Sequence, residues 1–460
     1  MKLNHIYKSI ACGVLLAMTA TSCDLDYNPV DTYSDVTEGV NKTDEKPIFN
    51  SVQDVETSMV TLHKKFRDQQ EHWYVDKLLI GDAHSDNAYA GTTGAEVVPY
   101  ETNSIEGSNS VLKRDWDRFL GDIAVANRII VGCDQLKALS ESERGKYQSQ
   151  AKIFRAMVMF DMVRLWGNFP VITTVGGDIT EDNVEEMYPT YFPPQNTAEE
   201  AYAQIEKDLT EAVENPNTPT NDTSDKSILT KSVARAMLAK VYAEKPLRDY
   251  AKVIKYADEL AADGFDLVED FSDLWAYDTE KKDCRVRNTK EAILEAHFPP
   301  GSGNWCTWMF GRNLSNWDES FTWAKWITPS RDLIRLYEEQ GDTKRYNESV
   351  VWYDCGWSNY YPADHYAFMY KCRSAFNSII YLRYADILLL KAEAKIMGEA
   401  PDLNGAATSS TASATAPDWA NFHKAPAAVK KHCSKLIWTN AAWSLPLKDS
   451  TGTTFAASIR

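Results

Sequence analysis

Residues 381–395 read YLRYADILLLKAEAK, and residues 150–170 read QAKIFRAMVMFDMVRLWGNFP. Both predict helices. The stretch from Tyr147 to Trp166 is strongly apolar, with Gly167 as a C-terminal cap and Pro170 as a stop. Met157, Met159 and Met162, with Phe154 and Phe160, read as core rather than as a cofactor box. The other stretch predicts a last helix over Tyr381 to Met397.

Working outward, the same pattern recurs. Ser51 to Gln69 puts Val55, Met59, Leu62 and Phe66 on one stripe, and Asn109 to Val131 does so with Leu112, Trp116, Phe119, Ile123, Ala126 and Ile130. Thr197 caps a helix reaching Val213, with acidic residues in its first turn. Thr230 opens KSVARAMLAKVYAEK, Pro246 ends it, and Asp249 to Ala262 follows. Small residues (Ala234, Ala236, Ala239, Ala243) facing large ones (Leu238, Tyr242, Tyr250, Ile254) resemble a tetratricopeptide unit without a strict repeat. The expected fold class is all-α: a helical scaffold of tetratricopeptide-like helix pairs with long irregular loops.

Lys2 and Lys8, an apolar stretch from Ile10 to Met18, and small residues before Cys23 predict a signal peptide over 1–22, too short to span a membrane. Cys23 is then the lipidated start of a polar tether over 23–50; the alternative is an ordinary signal with a chance cysteine. The helical domain is expected over 51–403, with a loop-rich insert at about 264–370. A formal net charge of -17 argues against nucleic acid as a partner. No CxxC or other zinc spacing is present, and export would permit disulfides among the remaining cysteines.

Two loops are expected to carry function, 71–107 and 270–328 with its extension to 370. Eight of the 14 tryptophans fall between 275 and 357, which concentrates the aromatic excess there. Sugars offer flat apolar C–H faces and a rim of hydroxyls, so aromatic rings beside Asp, Asn or Arg suit them. GSGNWCTWMFGRN at 301–313 supplies Trp305 and Trp308 as platforms and Asn304, Arg312 and Asn313 as rim; Trp317 follows. The alternative is that these tryptophans plug the loops onto the helices. In GDAHSDNAYAG at 81–91, Asp82, Asp86, Asn87 and Tyr89 form a second glycan-contacting candidate. A metal reading through Asp82, His84 and Asp86, and a plain turn network, stand beside it. No HExxH, GxSxG, P-loop or dinucleotide fingerprint occurs, and no cofactor is implied. A glycosidase needs only two carboxylates, so a surface hydrolase stays open; a carboxylate pair in a deep cleft would favour it.

Several motifs, in order, resemble the SusD/RagB family over about 24–400. They are CDLDYNPVDTYSD, WDRFLGDIAVANRII at 116–130, AKIFRAMVMFDMVRLWGNFPVIT with Arg155, Ala156, Phe160, Gly167 and Pro170, then ILTKSVARAMLAKVYAEK and YLRYADILLLKAEA. The resemblance implies a lipoprotein at the cell outer membrane that binds glycan and sits as a lid over a SusC-like TonB-dependent transporter. A lid with little glycan binding, or one with peptide cargo, is the alternative; exposure of Trp305 or Trp308 separates binding from lid. After about Leu403 the chain departs from the family. The tail 404–460 lacks helical periodicity, and a frameshift accounts for it. Codons for KKHCSKLIWTNAAWSLPLKDS at 430–450, read one nucleotide earlier, can encode KEALLQADMDERRLELAFEGQ, the family's missing stretch. The partners of Leu388 to Leu390 would then be lost.

Overall fold

The computed structural model describes residues 47–91, 94–177, 184–278, 280–281, 283–298, 303–311, 325–371 and 373–399, with short pieces between 401 and 409. The readings of Cys23, the tether, Arg312, Trp317 and nearly all of the tail lie outside them.

The helices begin where their caps stand. Ser51 accepts from the Asp54 N–H while the Asp54 carboxylate takes the Ser51 N–H, and α1 runs Val52–Asp68 with its predicted stripe buried. Asn109 accepts from the N–H groups of Val111 and Leu112 at the start of α2, Ser110–Gln135. Phe119, Ile123 and Ala126 are buried there, but Leu112, Trp116 and Ile130 are only half-buried. The helix turns Asp122 and Asn127 inward instead, where both satisfy buried donors. α3, Glu141–Trp166, starts ahead of its apolar run because Ser140 and Glu143 form a capping box; Gly167 follows at φ 73, a conformation that favours glycine. α4 (Ala198–Glu214), α5 (Lys231–Ala243) and α6 (Tyr250–Ala262) start behind Thr197, Thr230 and Asp249.

Successive helices pack in series, α2 on α3, α3 on α4, α4 on α5 and α5 on α6. At the centre, Arg155 donates to both Asp208 oxygens at 2.8 and 2.7 Å and to Asn127 Oδ1 at 2.7 Å, tying α3 to α4 and α2. The guanidinium is buried and each of its three nitrogens has a partner, the condition under which a charge is tolerated in a core. Two short helices, α7 (Trp305–Met309) and α8 (Arg331–Gln340), belong to the insert, and α9 (Tyr384–Met397) packs on α5 and α6. Leu388, Leu389 and Leu390 are buried.

The fold is mostly helical, with a few short strands that the sequence reading did not anticipate. β1 (Ala88–Tyr89), β2 (Ala292–Ala296), β3 (Thr328–Pro329), β4 (Val350–Tyr353), β5 (Tyr366–Met369) and β6 (Ile379–Arg383) form antiparallel pairs β1–β3, β2–β6 and β4–β5. Tyr277–Asp278 pairs with Asp283–Cys284 in the same sense. Tyr381 therefore lies in a strand, and the last helix starts only at Tyr384. Pairing with the wholly buried β2 outweighs helical continuation for a stretch that opens with two β-branched isoleucines. A second correction concerns 71–107. Its first part, 71–83, continues as helix with wider π turns at Glu71–Val75 and Leu79–Ala83. Trp73 is buried there because Asp122 accepts its indole N–H at 3.0 Å, removing the cost of an unpaired donor.

Candidate functional site

The described parts of the functional loops are laced together by backbone. Tyr89 stands opposite Thr328 in the β1–β3 pair, and the Ser330 N–H and hydroxyl reach the carbonyls of Asn87 (3.0 Å) and Asp86 (2.5 Å). Ser330 in turn caps α8 by accepting from Leu333. Gly91 donates to the Trp326 carbonyl at 3.0 Å, and a Cβ at that position would meet the Lys325 carbonyl oxygen at 2.4 Å, so only glycine fits the approach. From the far end of the insert, Asn359 Nδ2 donates to the Gly91 carbonyl at 2.7 Å and the Tyr361 hydroxyl to the Pro329 carbonyl at 2.8 Å.

This lacing assembles a row of rings. Tyr360 and Tyr89 stack with centroids 4.4 Å apart and planes 6° from parallel. Tyr361 follows at 6.4 Å from Tyr89, then Trp352 edge-on to Tyr361 at 5.2 Å and 89°. Arg331, the first residue of α8, sets its guanidinium 4.7 Å over the Tyr361 ring and 5.9 Å over Tyr89. The Tyr360 hydroxyl donates to Glu101 Oε2 at 2.7 Å; burial and that carboxylate hold the phenol above its ordinary range. Burial does the same for Tyr361. Both phenols therefore stay neutral, as hydrogen-bond donors. The row offers half-buried ring surface at Tyr89, Tyr360 and Trp352 beside a fixed cation, which suits the apolar face of a sugar; Tyr361 is buried, and its hydroxyl and that of Tyr360 are already engaged within the protein.

The predicted residues divide. Tyr89 is in the row. Trp305 and Trp308 on α7 are 36% and 55% exposed, so both offer ring surface to solvent. Asn304 is not a rim residue: it is buried, its Oδ1 caps α7 by accepting from Cys306 at 2.8 Å, and its Nδ2 is spent on the Asn377 carbonyl at 3.0 Å. Asp82 also turns inward, buried at the end of the second π turn, where burial pushes its carboxyl up to about 7 against the opposing pull of Lys371 and Asn87. Asp86 is exposed and Asn87 half-buried, with their carbonyls engaged by Ser330. Asp82 and Asp86 thus have opposite exposures, which removes the Asp-x-His-x-Asp metal reading. Among the described residues no three His, Cys, Asp or Glu side chains converge as a metal site requires. Arg331, Tyr361, Trp352 and Tyr360 were missed as site residues. The clustering of aromatics was a signal for the last three; nothing local marks Arg331.

Two further clusters bear on chemistry. Asp76 and Asp115 lie together in the interior beside Arg114, and burial with the neighbouring Asp76 raises the Asp115 carboxyl strongly. Both carboxylates of this pair are buried. A cavity of about 170 Å³ lies between the helices and β6, lined by Trp275, Tyr381, Leu389 and the ion pairs Lys77–Asp161 and Lys240–Asp386. Desolvation lowers Lys77 to about 8. Cys133 and Cys284 are free thiols. Among the described residues no helix is long and apolar enough to cross a membrane.

Comparison with known proteins agrees with the fold. The SusD-like family described as starch-binding and associating with the outer membrane matches residues 32–243. A SusD-like protein of Bacteroides ovatus is 25% identical over 309 residues, covering 64% of this chain and 50% of that protein, so the chain spans about half the length of this curated relative. Among solved structures, the surface glycan-binding protein A of Bacteroides fluxus superposes with a TM-score of 0.63 at 18% identity over 88% of this chain and 92% of that one. A laminarin-binding SusD-like protein gives 0.61 at 18% over 86% and 90%. A SusD superfamily protein of Parabacteroides distasonis gives 0.66 at 16% over 88% and 94%. The helical series, its capped motif helices and these matches agree: residues 32–243 are similar to the SusD-like family, and the chain shares the fold of SusD superfamily structures.

Proposed function

We propose that this protein captures oligosaccharides or polysaccharides at the surface of the outer membrane and delivers them to a SusC-like TonB-dependent transporter, without catalysing their cleavage. The observation that carries the reading is the ring row Tyr360–Tyr89–Tyr361–Trp352 with Arg331 over it, assembled from loops far apart in the chain. The solvent exposure of Trp305 and Trp308 supports capture over a lid that binds little. The family description and the glycan- and laminarin-binding names of two structural neighbours support carbohydrate as the ligand class. The leader ending at Cys23 supports a lipid anchor, two acyl signals being what stable anchoring requires. The burial of the Asp76–Asp115 pair, whose carboxyls are closed off from solvent, supports a non-catalytic role.

The test is retention of the purified protein on a panel of immobilised polysaccharides, beside a Tyr89→Ala, Trp308→Ala double variant of confirmed fold. Retention of one glycan class by the parent and its loss in the variant is expected. Failure of the parent to bind any member, or release of reducing ends from a bound one, would overturn the capture reading.

A further inference from the structure

The last ring of the row is covered. Trp352 stands opposite Ala367 in the β4–β5 pair, and His365 lies two residues before Ala367, in the bend that leads into β5. That placement brings the imidazole flat onto the indole, centroids 4.2 Å apart and planes 3° from parallel. The indole itself is fixed: its N–H donates to the Tyr346 hydroxyl at 2.8 Å, and Tyr361 meets it edge-on at 5.2 Å. The imidazole is not fixed. His365 is exposed, and among the described residues its ring nitrogens have no hydrogen-bond partner. A rigid, half-buried platform is therefore covered by a flat polar ring held only by stacking.

We propose that Trp352 is a further subsite for a pyranose ring, capped by His365 in the unliganded protein and opened when the sugar displaces the imidazole. This rests on the glycan-capture reading and names where the glycan extends. An imidazole on an indole face covers the area that the C–H face of a pyranose would cover, so the exchange replaces one stacked ring by another. Freed of the indole, His365 keeps one ring N–H donor and one acceptor in its neutral form, and can hydrogen-bond the hydroxyl rim of the sugar that displaced it. The subsite continues the row beyond Tyr361, which favours ligands long enough to reach from Tyr89 to Trp352 over single sugars.

Affinity for the glycan retained by the parent protein is measured by calorimetry for the parent, His365→Ala, His365→Phe, and His365→Ala combined with Trp352→Phe. Thermal unfolding is followed for each. His365→Ala uncovers the indole, and a gain of about two- to fivefold is expected, the range spanned by an exposed cross-strand ring pair. His365→Phe keeps a ring on the indole and is expected to show no gain. The smaller Trp352→Phe ring is expected to erase the gain of His365→Ala. If the parent binds and His365→Ala binds equally or more weakly, with only its melting temperature lowered, the stack is a hairpin brace and the subsite is refuted while glycan capture stands. If neither binds any glycan, both readings fall.

Discussion

The ring of Tyr89 lies parallel on the ring of Tyr360, 4.4 Å between centroids, and so joins the first functional loop to the far end of the second. The contact exists because β1 pairs with β3 and the Tyr361 hydroxyl is anchored on the Pro329 carbonyl. Removing either ring takes away the stacking partner of the other, which keeps only its edge contacts and hydroxyl bonds. Tyr360→Ala is expected to weaken glycan binding by about twofold to tenfold, since a well-formed aromatic pair contributes about 0.5–1.5 kcal/mol beyond the area it buries. Titration calorimetry checks this, and an unchanged affinity would remove Tyr89 and Tyr360 from the site.

Trp308 and Asn304 sit four positions apart and should behave in opposite ways. Trp308 is 55% exposed, so Trp308→Ala is expected to lower affinity while moving stability by less than about 0.5 kcal/mol. Asn304 is buried and caps α7, so Asn304→Ala is expected to cost about 1–2 kcal/mol of stability, with any binding loss following from the displaced helix. Denaturant unfolding and binding measured on the same preparations separate the two. A stable Asn304→Ala that has lost binding would restore Asn304 to the rim.

Asp82 makes stability depend on pH. Its folded carboxyl titrates near 7, against about 3.9 in the unfolded chain. Between those values the folded state holds a proton that the unfolded state has released, so stability falls as pH rises from about 4 to about 7, with a limiting slope on the order of 1 kcal/mol per pH unit. Asp82→Asn cannot ionise and is expected to flatten that part of the profile. Urea unfolding at pH 5 and pH 8 for both proteins is the measurement; parallel profiles would show that Asp82 is ionised in the fold.

The tail is tested first in the coding DNA. Codons for 430–450, read one nucleotide earlier, are expected to yield KEALLQADMDERRLELAFEGQ. A chain carrying that sequence is expected to unfold at a higher temperature. Its alternation of Leu and Phe with Arg and Glu suits the mixed wall of the cavity beside Leu389, where ion pairs face aromatic rings. Equal melting temperatures for the two chains would leave that cavity without a role for the tail.

The sequence by itself determined the helical scaffold. Caps such as Ser51, Thr197, Thr230 and Asp249 and stripes such as Val55, Met59, Leu62 and Phe66 are local signals, readable within a turn or two, and the helices start and bury as they specify. The same locality explains the misreadings. Tyr381 looked helical because pairing with β2 lies far along the chain, and the segment holding Trp73 looked like a loop because the Asp122 that accepts its N–H sits on another helix. The site was decided by tertiary structure almost throughout. Sequence located the aromatic excess but could not say which rings face water, since exposure depends on what packs behind them. Asn304 and Asp82 were drawn inward by acceptors and walls from remote segments, whereas Arg331 and Tyr360 reached Tyr89 through backbone hydrogen bonds between loops that no periodicity announces.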